Sequence, residues 1–144
     1  KVYRELDDSK NTSVILAADT VVACGRRILP KTETRQQAKD CLELLSGRRH
    51  RVYGGIALHV NGKLISRVVD THVTMKRLHT SEQDFYLDTN EWDGVAGGYK
   101  IQGIAESFIK QINGSHSNII GLCLYNTRQM LLGNCPEIFE THAL

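Results

Sequence analysis

Asp19, Thr20, Lys31 and Gln102 are the side chains of this 144-residue chain whose types and spacing suit polar chemistry at a shared site. Asp19-Thr20 follows the apolar run Val14 to Ala18, which reads as a buried strand. Ligands of open α/β sheets gather outside the carboxyl ends of strands. A carboxylate there can hold Mg²⁺, whose hard charge prefers oxygen, or position an attacking water. The alternative is a turn aspartate bonded to its own backbone. Lys31, after a Pro30 turn, carries an ammonium that could meet phosphate oxygens; its alternative is a solvated surface lysine. Gln102 lies in Ala96 to Gly103, where three glycines let the backbone turn tightly and come close to a neighbour. The apolar-periodic segment that follows predicts a helix whose N-terminus suits an anion. Plain packing of a glycine turn is the competing reading. The spacing is neither the dinucleotide fingerprint nor a P-loop, because no Gly-Lys-Ser/Thr follows.

Other patterns lead to less. The cluster Arg48 to Arg51 follows a helix C-terminus and Gly47, where cations complement the helix dipole. Six histidines are scattered without a zinc-ligand rhythm. Ser115-His116-Ser117 is no hydrolase triad, since adjacent strand residues face opposite ways and no nucleophile elbow exists. Trp92, the single tryptophan, reads as a packing anchor. A net charge of +2 gives no electrostatic footprint for nucleic acid or an anionic membrane. No apolar run reaches the ~20 residues of a membrane helix. Cys24, Cys41, Cys123 and Cys135 form no C-x-x-C pair and read as reduced, mostly buried thiols of a cytoplasmic protein.

The elements that must position these groups follow from periodicity. Val14 to Ala18 and Val21 to Ala23 predict extended chain, turned by Gly25. Glu33 to Ser46 predicts a helix with Ala38, Cys41, Leu42 and Leu45 on one face and Gly47 as its C-terminal cap. Arg51 to Val60 and Lys63 to Arg77 predict a long hairpin closed by Asn61-Gly62. A short helix is expected from Thr80 or Ser81 to about Thr89. Ile104, Ala105, Phe108, Ile109 and Ile112 predict a helix ended by Gly114. Asn118 to Leu124 predicts a strand and Asn126 to Leu132 a last helix. No linker, repeat or low-complexity stretch divides the chain, so residues 1–144 read as a single domain. The pattern is α/β with α+β character: a twisted mixed sheet with a long antiparallel hairpin, flanked by helices.

In one collinear order, Ala18-Asp19-Thr20-Val21-Val22, Ile28-Leu29-Pro30-Lys31, Leu45-Ser46-Gly47 with His50-Arg51-Val52, Ala96 to Gly103, Ile112-Asn113-Gly114-Ser115 and Gly121-Leu122 resemble the Maf family. These are nucleoside triphosphate pyrophosphatases of the ITPase-like fold. The pairing of Ala-Asp-Thr with Ile-Gln-Gly resembles the branch acting on dTTP and UTP. The resemblance implies hydrolysis between the α- and β-phosphates, giving a monophosphate and pyrophosphate. It implies Asp19 as the catalytic aspartate that orients or deprotonates water and as a metal ligand. It implies substrate-binding roles for Lys31, Gln102, Thr20 and Lys1: phosphate neutralisation by the lysines, base reading by Gln102, and substrate contact or carboxylate support by Thr20. The implied cofactor is Mg²⁺ or another divalent cation such as Mn²⁺. The implied partners are nucleoside triphosphates, with no nucleic acid or membrane, and a homodimer is a candidate assembly.

The departures carry weight too. The family opens with a strand and a Ser-x-Ser-Pro-Arg-Arg-like loop that contacts phosphates, followed by an acidic residue near the metal; this sequence shows none of these. Pro30 stands for a glycine, Thr32 for a proline, Val95 for a basic residue, His116 for a tyrosine and Cys123 for a proline. The expectation is an N-terminally incomplete domain with weak or absent turnover. A non-catalytic nucleotide-binding or septum-regulating relative is the alternative reading.

Overall fold

Asn61 and Gly62 set the geometry of the longest element. Both take positive φ, 50° and 75°, the turn whose twist matches that of two antiparallel strands. The computed structural model describes residues 13–142, and in it this turn joins β3 (Arg49–Val60) to β4 (Lys63–Met75), with Val60 opposite Lys63. The hairpin is the middle of a five-stranded sheet. Its other strands are β1 (Ile15–Cys24), β2 (Arg27–Leu29) and β5 (Ile109–Asn113), in the order β2-β1-β3-β4-β5. Every described pairing is antiparallel, where the sequence pattern led us to expect a mixed sheet; the α/β class with helices flanking a hairpin sheet stands.

Helix α1 (Arg35–Leu45) buries the expected Ala38, Cys41, Leu42 and Leu45. It begins with a capping box: the Gln37 amide donates to Thr34 Oγ1, while the Gln37 side chain accepts from the Thr34 amide. Helix α2 (Thr80–Asp88) lies beside it, and Trp92 follows, buried, its indole N–H donating to Leu87 O at 2.8 Å.

Two segments differ from expectation. Ile104–Phe108 is a 3₁₀ turn and not an α-helix, and Ile109–Asn113 then becomes β5, laid on the edge of β4. The apolar spacing there is compatible with either period, and an open β4 edge decides for the strand with β-branched Ile109 and Ile112. The expected strand from Asn118 to Leu124 is instead a short helix, α3 (His116–Ile120), followed by α4 (Leu124–Asn134). Ser115 starts α3, accepting the Asn118 amide on its hydroxyl at 3.1 Å, and Gly121 ends it with φ 147°. All four cysteines are buried and unbridged.

The alternation along β3 places His50, Val52, Ile56, Leu58 and Val60 on the covered face. Two apolar clusters lie on that face. One joins Val22, Val52 and Val73 to α1, α2 and the 92–108 segment; the other joins Ile56, Leu58 and Val60 to Met130 and Cys135. Gly54 lies between them, and Asn118 fills the space it leaves. The Asn118 amide nitrogen lies 3.1 Å from Val52 O, 3.1 Å from Val69 O and 3.0 Å from Thr71 Oγ1. A Cβ on residue 54 would overlap the Asn118 amide oxygen.

Gly54→Ala is therefore expected to destabilise the fold by about 1–3 kcal/mol, as overpacking does. Its effect combined with Asn118→Ala should fall short of the sum of the single losses, because the second change removes the obstacle. Urea unfolding of the two single variants and the double variant checks this; simple additivity would contradict it.

Candidate active site

Asp19 and Thr20 lie in the body of a strand and not at its end, which corrects the sequence expectation. Thr20, Val21 and Val22 are β-branched and prefer extended backbone, so the ladder with β3 runs on, pairing Asp19 with Gly55, Thr20 with Gly54 and Val22 with Val52. Alternation then separates neighbours: Thr20 shares a row with Val22 on the covered side and is half-buried, while Asp19 is exposed. The Asp19 carboxylate accepts the Thr20 amide at 2.9 Å, so the local backbone bond of the alternative reading is present and still leaves the other oxygen for a ligand.

The sheet and three further parts of the chain line a cavity of about 220 Å³. They are Ala18, Asp19, Thr20 and Val22 of β1 with Val52 of β3; Lys31; Gly94, Val95, Ala96 and Tyr99; and Ile119, Ile120 and Gly121 at the end of α3. Asp19 and Lys31 are the charged residues of this lining. Asp19 also borders a shallower depression on the opposite side with Gly55, Ala57 and Val68, so it stands on a rim.

Lys31 reaches the cavity through the glycine-rich loop. Residues 30–32 form no strand of the sheet; they pair antiparallel with 94–97. Lys31 bridges Ala96, the Thr32 amide donates to Val95 O at 3.2 Å, and Thr32 O accepts the Gly94 amide at 2.7 Å. The Gly97 amide donates to Pro30 O at 3.0 Å, and the buried Thr32 hydroxyl donates to Trp92 O. Gly97 and Gly98 have φ 74° and 73°. A Cβ on Gly97 would stand 3.0 Å from Val22 Cγ1, and one on Gly98 would stand 3.4 Å from the Ala38 Cα. The loop can lie down on β1 and α1 only because both residues lack a side chain.

Gln102 is not brought into this lining. It is exposed in the turn Lys100 to Gly103, where the Gly103 amide donates to Lys100 O at 3.2 Å. The Glu91 carboxylate lies in the space a Cβ on Gly103 would take, and it accepts the Ile104 amide at 3.0 Å. That turn serves packing, and with a 3₁₀ segment after it the expected anion-receiving helix N-terminus does not form. Lys1 lies outside the described residues. Arg51 of the basic cluster lies in β3, where its guanidinium donates to Tyr53 Oη at 3.2 Å and lies 3.8 Å from Asp70.

The sequence reading passed over Tyr99, His50, Asn118 and the Ile119–Gly121 wall, although Tyr99, His50 and Gly121 stand inside the motifs that carry the resemblance. Tyr99 lines the cavity, and its hydroxyl shares a 2.6 Å hydrogen bond with His50 Nε2; both residues are buried. The rings meet edge to face, 5.4 Å apart. His50 Nδ1 is buried without a hydrogen-bonding partner among the described residues. Burial therefore lowers the imidazole from 6.5 to about 4, and burial likewise raises the Tyr99 phenol.

The unfolded chain takes up a proton at His50 near pH 6.5, whereas the folded protein resists until about pH 4. Stability should accordingly be full above pH 6.5 and fall by up to about 3 kcal/mol as pH drops through that window. Denaturation curves of the wild type and His50→Gln across this range provide the check: the variant should lose that part of the pH dependence, and parallel curves would contradict it.

The sequence profile described as Maf-like protein matches residues 1–133. A dTTP/UTP pyrophosphatase of Paramagnetospirillum magneticum is 58% identical over 120 residues, 83% of this chain and 63% of the relative. Proteins of the same name from Mesorhizobium japonicum and a Chelativorans species are 54% and 52% identical, over 90% and 87% of this chain and 62% and 60% of their own lengths. The chain thus spans about three fifths of the relatives it matches. The profile match takes in each segment that encloses the cavity, and the chain belongs to the family of Maf-like proteins.

Proposed function

We propose that this chain carries the nucleotide site of a nucleoside triphosphate pyrophosphatase that converts dTTP or UTP to the monophosphate and pyrophosphate. The observation that carries the proposal is the convergence of Asp19, Thr20 and Lys31 on one cavity, in a chain over half identical to proteins named for that activity. Anhydride hydrolysis asks little covalent chemistry of a protein; it asks for a placed nucleophile and for cations facing the developing negative charge. Asp19 orients or deprotonates the attacking water, Lys31 neutralises phosphate oxygens, and Thr20 contacts substrate or steadies the carboxylate.

Among the described residues no three His, Cys, Asp or Glu side chains gather as a metal cage. One carboxylate beside a phosphate-sized space does suit Mg²⁺ or Mn²⁺, which is commonly held by one or two carboxylates, waters and the substrate's own phosphates. Asp19 would be its protein ligand, and the cation would supply charge neutralisation at the phosphates. Gln102 offers both a donor and an acceptor to a uracil or thymine edge. That role requires the base to extend past the cavity lining toward the 100–103 turn. The proposal includes a cytoplasmic protein, with a homodimer as its candidate assembly. Among the described residues no helix is long and apolar enough to cross a membrane.

Pyrophosphate release from dTTP and UTP with Mg²⁺ tests the reading, measured on this chain joined to the N-terminal segment of a Maf-like relative, beside the 144-residue chain, for which weak or absent turnover is expected. Asp19→Asn should lower it by about a hundredfold or more, the scale for a lost catalytic group, with an unchanged unfolding midpoint. In the same assay Gln102→Glu should reduce pyrimidine turnover more than purine turnover. Wild-type rates in Asp19→Asn would remove the catalytic assignment, and equal losses on both bases would remove the base-reading one.

A further inference from the structure

The cavity is made of two bodies that are not one continuous sheet. Asp19 and Thr20 ride on β1, fixed by the ladder to β3. Lys31 rides on residues 30–32, whose backbone partners are Val95, Ala96 and Gly97 of the glycine-rich loop. Leu29 of β2, two residues before Lys31, pairs with Val22 of β1, so the distance from the carboxylate to the ammonium depends on that ladder and on how the loop is held against the sheet. Gly97 and Gly98 give it contact with Val22 and Ala38, but apolar contact between a glycine backbone and an aliphatic side chain is weakly directional. The directional tie of the loop to the sheet among the described residues is the Tyr99 hydroxyl, which meets His50 of β3 at 2.6 Å inside the core, while the Lys100 amide donates to Tyr86 Oη of α2 at 3.2 Å.

We infer that His50 and Tyr99 are a positioning pair: their hydrogen bond sets the place of Lys31 opposite Asp19 and so the fit of the cavity to a polyphosphate. Neither residue needs to touch phosphate for this. His50 does not line the cavity, and Tyr99 acts through the loop that holds Lys31. The position favours a neutral imidazole, because protonation would place a charge in the core with no partner for Nδ1 among the described residues. The buried bond also makes the pair intolerant of half-removal, since either partner left alone keeps an unsatisfied polar group.

The inference rests on the nucleotide reading, and two measurements separate their fates. The first is amide hydrogen exchange of the full 144-residue chain, wild type against Tyr99→Phe. The Thr32, Gly94 and Gly97 amides, which lie in the body that the Tyr99 bond ties to β3, should lose the shelter of the sheet and exchange about tenfold faster, as for one lost hydrogen bond, while Val52 and Val73 in the β3–β4 ladder keep their protection. A uniform rise across all these amides would mean a merely global loss of stability and would overturn the inference.

The second is a double-variant cycle on the binding of dTTP with Mg²⁺, using Tyr99→Phe and Lys31→Met. Tyr99→Phe should weaken binding about tenfold in the wild type and hardly at all once Lys31 is gone, since it acts through that ammonium. His50→Gln, which retains a hydrogen-bonding group, should bind better than His50→Leu. Equal weakening by Tyr99→Phe in both backgrounds would overturn the inference and leave the nucleotide reading intact. Absence of dTTP binding by the wild type would defeat the nucleotide reading, and the exchange data would still decide whether the pair locates Lys31.

Discussion

The close approach of the 94–99 loop to β1 is the constraint on which the rest of the site depends. Lys31 belongs to no strand of the sheet, and its backbone takes its partners from that loop. The loop in turn must lie against Val22 and Ala38 at distances tight for a Cβ, with two successive residues in the left-handed region that L side chains rarely adopt. Glycine meets both requirements at once, so Gly97 and Gly98 let the loop seat Lys31 in the same cavity lining as Asp19 without lining that cavity themselves. The same economy appears at Gly54, where a missing side chain admits Asn118 between two halves of the core and seats the α3 wall of the cavity.

This arrangement explains why the charged groups can be exposed while the scaffold is rigid. Asp19 sits on a rim open to solvent, as its proposed contact with a hydrated nucleotide requires. Behind it, polar bonds are buried and specific: Thr32 to Trp92, Tyr99 to His50, and Asn118 to Thr71. Each lies between segments far apart in sequence, so each fixes a loop or helix to a distant part of the fold more than it adds to the bulk of the core.

Several features were legible before any coordinates. Asn61-Gly62 announces its turn because only a few residue pairs tolerate two positive φ values. The α1 stripe is legible because a helix packed on one side shows its period, and collinear short motifs led to the family. The failures also have physical causes. Ile104 to Ile112 satisfies a helical period, but the open edge of β4 can recruit Ile109–Asn113 as a strand, and that competition is tertiary. Ser115 capping Asn118 was the local signal for α3; apolar Ile119 and Ile120 obscured it by suggesting a strand. For the site, Asp19, Thr20 and Lys31 line one cavity, whereas Gln102, close in sequence to Tyr99, is exposed in a turn whose following Ile104 amide is held by Glu91. A one-dimensional motif does not reveal which of its side chains face inward, and the buried partner of Tyr99 lies 49 residues away.

A crystal structure of the chain with Mg²⁺ and the non-hydrolysable α,β-imido analogue of dTTP would test the central claim most directly. The account requires the phosphates to lie between the Asp19 carboxylate and the Lys31 ammonium, within the space bounded by Tyr99 and Gly121. Phosphates bound elsewhere on the molecule, with that space unchanged, would contradict it.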